Sequence, residues 1–142
     1  MTTQRYQFSY PSISESEGRF LDDVERVLRK YHVEATPAQR LMLAMSEAFT
    51  NALVHANRRQ PDKRILVDIA VNETEISADI TDEGVGGVKA IERKSPPGLL
   101  AEGGRGIDLI RHCSSEVSFR ENAGGGLTVT IRVKREKNTV AL

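Results

Sequence analysis

Between Gln39 and Asn57 the chain reads QRLMLAMSEAFTNALVHAN, and at about 100° per residue Leu41, Met45, Ala48 and Ala52 fall on one stripe. That spacing requires a helix lying on an apolar surface, so the rest of the chain must supply the surface. Glu47 and Asn51, four residues apart, border the stripe, with His55 a turn further on. Polar groups beside a buried face need partners or line a cavity, because an unpaired buried polar atom costs about 1–3 kcal/mol. A carboxylate and a carboxamide one turn apart suit a hydrated cation and its attached phosphates. The plainer alternatives are a surface ion pair for Glu47 with a neighbouring arginine, and a core-edge place for His55.

One hundred and forty-two residues form one domain, 1–142, large enough to bury a core without metals or disulfides. Its 20 basic and 20 acidic residues balance, which argues against a nucleic-acid or membrane surface. The basic group Arg132, Lys134, Arg135 and Lys137 reads as a solvated strand edge and tail. The one cysteine, Cys113, rules out an internal disulfide, and no charged-then-apolar leader opens the chain, so a cytoplasmic location is expected. No apolar run approaches the ~20 residues of a membrane helix. His32, His55 and His112 have no metal-ligand spacing with Cys113, which argues against zinc.

Arg5–Tyr10 alternates as a strand that Pro11 ends. Ser14 and Glu17 form a capping-box pattern ahead of Phe20, Leu21, Val24, Val27, Leu28 and Tyr31 at helical spacing. Thr36 as cap, Pro37 at the first helical position and Gln39 at the third open the central helix, which fails between Asn57 and Pro61. Arg64–Val71 and Glu75–Thr81 are β-branched runs forming an antiparallel hairpin. The second delivers Asp82 into Glu83-Gly84-Val85-Gly86-Gly87, where glycines allow close approach of the backbone or positive φ. Val88–Gly103, with Pro96 and Pro97, reads as a lid-like loop with room for a short helical piece. Gly103-Gly104-Arg105-Gly106 opens a third helix, whose first N–H groups make a phosphate cradle. Val117–Arg120 and Leu127–Val133 form a last hairpin around a glycine turn, and the residues after Arg135 read as a frayed tail.

No phosphate-binding P-loop and no dinucleotide fingerprint is present. The sequence instead resembles the GHKL ATP-binding superfamily of gyrases, heat-shock chaperones, sensor histidine kinases and mismatch-repair ATPases. SEAFTNALVHA (46–56) is similar to its N box, DEGVGG (82–87) to its G1 box and EGGRGIDLIRHCSSEVSF (102–119) to its G2 box. Within the superfamily the chain looks most like the bacterial anti-sigma factor serine kinases.

The resemblance implies an α/β (α+β) two-layer sandwich, with a mixed, mostly antiparallel sheet of four or five strands and three helices on one face. It assigns Asn51 to magnesium bridging the phosphates of ATP or ADP, Glu47 to the base for a protein serine, and Asp82 to the exocyclic amine of adenine. Gly84 and Gly86 would close over the base, Gly104, Arg105 and Gly106 would meet the phosphates, and Thr128 would contact adenine beside Asp82. It also implies an anti-anti-sigma (STAS-type) protein substrate, a sigma factor held by the same chain, and a homodimer. Val54, where many relatives carry a polar residue, departs from the pattern, as does the proline-bearing lid. Since the chain ends near the last strand, no output domain is expected and regulation falls to protein partners. The rival readings are a nucleotide-binding switch without phosphoryl transfer and an interaction domain with a dead site.

Overall fold

The computed structural model describes residues 2–85 and 102–136, with the backbone alone over 102–105. Five strands, β1 (Gln4–Pro11), β2 (Arg64–Val71), β3 (Glu75–Thr81), β4 (Glu116–Glu121) and β5 (Leu127–Lys134), form a sheet in the order β1-β2-β3-β5-β4. Every described pairing is antiparallel, so the parallel component of the expected mixed sheet is absent among the described strands. Two of the four pairings, β2 with β3 and β4 with β5, are hairpins, which need only short turns. In the first turn the Asn72 side chain accepts from the N–H groups of Thr74 and Glu75, both at 2.9 Å. In the second, Gly125 takes a φ of 92°, the conformation that glycine adopts without steric cost.

Three helices cover one face: α1 (Glu15–Lys30), α2 (Ala35–Thr50) and α3 (Glu102–Cys113). The central helix α2 lies over β3 and β5, with α1 and α3 on either side. Its predicted stripe is the buried one, since Leu41, Met45, Ala48 and Ala52 are at most 3% exposed. The core side of the sheet alternates as period-2 strands should: Ile65, Val67, Ile69 and Val71 of β2 and Ile76, Ala78 and Ile80 of β3 point under the helices. Phe20 of α1 stacks on Phe49 of α2 with centroids 4.2 Å apart, and Tyr10 of β1 meets both edge-on.

Both helix starts differ from the sequence expectation. Ser14 has helical φ and ψ and makes no cap bond; its hydroxyl instead accepts from the Arg59 guanidinium at 3.0 Å. The start of α1 is tied back by Ser16 Oγ, which donates to the Pro11 carbonyl at 2.7 Å. Pro11 itself still pairs with Arg64, on an edge strand where a missing N–H is tolerated. At α2 the boundary residue is Glu34, so Thr36 lies inside the first turn and Pro37 sits where no N–H is needed. Glu34 is fixed there by Arg135, whose Nη2 reaches its carboxylate at 2.9 Å and whose Nη1 donates to Asn72 O at 3.0 Å. Arg135 is therefore a clamp between the end of the sheet and the α1–α2 turn, and not part of a solvated tail. Lys137 and the residues beyond lie outside the described residues.

Candidate nucleotide-binding site

The last turn of the central helix is where the site residues gather. After Thr50 the helix widens into a π-helical turn, Asn51–Ala56, and the Asn57 N–H closes back on Ala52 O at 2.8 Å. Such turns are rare and recur at functional sites. This one begins at Asn51, a turn after Glu47, and both side chains are half-buried. His55 is exposed, on the outer side of the turn, and the core-edge place expected for it goes to Ala52 and Leu53.

Helix α3 approaches α2 at this point through Gly106. A Cβ there would lie 3.0 Å from Glu47 Oε2 and 3.5 Å from Asn51 Nδ2, so the absence of a side chain lets α3 come close to the two polar groups. Gly104 belongs to the first turn of α3, beside Arg105, whose side chain lies outside the description. Gly86 and the loop with Pro96 and Pro97 also lie outside the described residues. Among the described residues no ion pair involves Glu47.

Asp82 lies at the end of the sheet. It follows β3 directly, continues the pairing with β5 through its N–H to Leu127 O (3.0 Å), and is nearly buried. Its Oδ1 accepts from Gly84 N at 2.9 Å and Leu127 N at 3.1 Å, which fixes the carboxylate plane. Both described bonds fall on Oδ1, so the orientation of Oδ2 is set by its partner oxygen. Burial holds the Asp82 carboxyl above its ordinary 3.8, opposed by these two N–H groups and by the charge of Lys63. A carboxylate short of water gains more from an incoming amine than an exposed one does.

Gly84 has a different neighbour from the one expected. A Cβ there would meet Ala56 Cβ at 2.7 Å and Ala56 O at 2.8 Å, so its role in the structure is to let the Asp82 turn pack on the end of the central helix. The close approach is to protein backbone. Gly126 does the same on the far side, where a Cβ would lie 2.3 Å from Asp82 O. The sequence shows Gly126 only as turn chemistry, since its contact is with a residue far away in the chain.

Thr128 does not share the side of Asp82. It pairs with Thr81 in the sheet register, and their hydroxyls lie 2.9 Å apart. Along β5 the residues under the helices are Leu127, Val129, Ile131 and Val133, so strand alternation turns Thr128 to the outer face, where Asn122 Nδ2 also donates to it at 3.1 Å. The described partners of Thr128 are thus Thr81 and Asn122. The residue that sequence reasoning missed is Asn57, fully buried between this turn and the start of β2. Its only sequence signal is a polar residue where the helix ends.

The geometry tests whether nucleotide and magnesium suit these residues. The carboxylate and the carboxamide that face Gly106 are chemically fit for a hydrated cation and phosphates. A magnesium ion is typically held by few protein oxygens and by phosphates. Asp82 supplies an acceptor of fixed orientation. A three-helix layer on an antiparallel sheet, with these groups between helices and sheet end, defines the class of nucleotide-binding ATPase domains.

Residues 11–133 match the family model of the histidine kinase-like ATPase domain, and the chain belongs to that family. The anti-sigma F factor of Oceanobacillus iheyensis is 24% identical over 136 residues, covering 91% of this chain and 92% of that one. The anti-sigma F factor of Pasteuria penetrans is likewise 24% identical, over 91% of this chain and 89% of the other. Among solved structures, the RsbU and RsbW domains of a Mycobacterium tuberculosis protein superpose with a TM-score of 0.67 at 15% identity, over 93% of this chain and 32% of that chain. This chain thus spans about a third of that longer protein. The histidine kinase domain of a blue-light activated kinase from Erythrobacter litoralis gives 0.54 at 19% identity, over 87% and 60% of the two chains. These two likenesses establish the fold. Among the described residues no helix is long and apolar enough to cross a membrane.

Proposed function

We propose that this chain is an ATP-dependent serine kinase of the anti-sigma type, which phosphorylates a small anti-anti-sigma (STAS-type) partner and holds a sigma factor when that partner is modified. The observation that carries the reading is the close approach of Gly106 of α3 to Glu47 and Asn51, on the helix whose end Gly84 abuts. The names of the curated relatives support the partner assignment. In this reading Asp82 would take the adenine amine, Asn51 would hold magnesium, and the first turn of α3 around Gly104, Arg105 and Gly106 would meet the phosphates. Magnesium supplies neutralisation of the phosphate charge. Glu47 orients the substrate hydroxyl and accepts its proton, as the serine oxygen bonds to the γ-phosphorus and the bond to the departing ADP oxygen breaks. The chain works in the cytoplasm as a homodimer.

The test is incubation of the chain with labelled ATP, magnesium and a co-encoded small STAS-type protein. Serine phosphorylation is expected. Glu47→Gln should still bind ATP and partner, while transfer falls about 10²–10⁴-fold, the usual effect of removing a positioned base. Transfer at the parent rate in that variant would remove Glu47 from the chemistry. Binding of ATP and partner without transfer in the parent would establish the nucleotide switch instead.

A further inference from the structure

Three segments distant in the chain meet at the side chain of Asn57, which is fully buried. Its Nδ2 donates to Ser12 Oγ at 2.9 Å and to Arg64 O at 3.0 Å. Its Oδ1 accepts from the backbone N–H of Glu83 at 2.9 Å. That N–H belongs to the peptide unit directly after Asp82. A peptide unit is planar, so holding its N–H also holds the Asp82 carbonyl at its other end. That carbonyl is the atom against which Gly126 packs, with no room for a Cβ. Glu83 is tied a second time, through its Oε1, which accepts from Arg64 N at 2.5 Å. The 82–83 peptide is held at its N–H by Asn57 and packed at its carbonyl by Gly126, which restrains the backbone from which the Asp82 side chain leaves.

We infer that Asn57 is a positioning residue for base recognition, fixing through the Glu83 N–H the angle at which the Asp82 carboxylate meets a purine six-position amine. The inference rests on the reading of Asp82 as the adenine acceptor. It separates two functions of one side chain, since the Nδ2 bonds hold the framework of β1 and β2 while the Oδ1 bond aims Asp82. The two can be removed one at a time. Asn57→Ala removes both. Asn57→Asp keeps an oxygen to accept from Glu83 N and loses the donations to Ser12 and Arg64.

The experiment compares ATP with ITP, whose six-position carries a carbonyl in place of the amine, in magnesium-containing calorimetry on the full chain. Melting temperatures of the same samples are recorded alongside. The parent is expected to prefer ATP. Asn57→Ala is expected to lose at least about fivefold of that preference, and Asn57→Asp to melt lower while retaining it. A role confined to stability would lower the melting temperature of Asn57→Ala and leave its preference at the parent value, which would overturn the inference. So would an Asn57→Asp chain that is folded yet has lost the preference, and this arm decides the matter should the alanine variant fail to fold. A parent that does not separate ATP from ITP overturns the adenine reading of Asp82 itself, and the two failures are thereby distinct.

Discussion

Asp82 extends the sheet with its backbone and, in the proposed reading, takes the adenine amine with its side chain. Its backbone extends the β3–β5 pairing and its Oδ1 receives two N–H groups. In Asp82→Asn the amide oxygen can keep both bonds, so the fold should survive, while the second position becomes a donor facing the adenine amine. Adenine nucleotide binding should weaken about 10–100-fold, as for loss of a hydrogen bond to a charged group, and stability near pH 7 should not fall. The sign follows from burial. A carboxyl held above its ordinary 3.8 contributes stability below that value and loses it as pH rises through the folded value, so removing the charge relieves a cost at neutral pH. Calorimetry and a urea melt on one preparation check both halves. A variant that binds ADP like the parent would move adenine recognition elsewhere.

At the scale of elements, the connection from α1 to α2 carries two devices that hydrophobic patterning does not reveal. His32 ends α1 with a φ of 50°, while Val33 N reaches back to Leu28 O at 3.0 Å in the helix-terminating arrangement that glycine favours. His32→Gly should therefore stabilise the chain by about 0.5–1 kcal/mol, read as a shift of the urea midpoint, because the left-handed conformation costs a residue with a side chain. The second device is the Arg135 clamp on Glu34. Its hydrogen bonds hold the Glu34 carboxyl below the ordinary 4.5. The stability from this pair is whole above that ordinary value and is lost as pH falls through the depressed folded value. Between pH 7 and pH 3 the parent should lose more stability than Glu34→Gln, whose curve lacks this component. Parallel acid curves for the two chains would show that the pair contributes nothing.

For the molecule as a whole, the proposed site draws on α2, α3 and the end of β3, so a ligand bridging them should hold the fold together. ATP or ADP with magnesium at about a hundredfold over its dissociation constant should add about 2.7 kcal/mol, or about 5–10 °C in melting temperature for a domain of this size. Guanine nucleotides should do little, since a carbonyl would face Asp82. A melting curve unmoved by millimolar adenine nucleotide would refute the site.

What the sequence determined by itself is what depends on local periodicity and local chemistry. The stripe of Leu41, Met45, Ala48 and Ala52 lies on the core, and both hairpins form where β-branched runs flank turn residues. Only the tertiary structure decided the rest. The side of the sheet that Thr128 faces depends on which residue it pairs with, and a shift of one residue reverses it. Gly84 and Gly126 are required by Ala56 and Asp82, residues 28 and 44 positions away in the chain, whose approach is set by the docking of helix and hairpin. The cap at α2 belongs to Glu34 because Arg135 arrives from the opposite end of the chain. Asn57 became a hub for the same reason: a buried polar side chain is satisfied by whatever the fold brings within about 3 Å of it, and that distance is not written in any local stretch of residues.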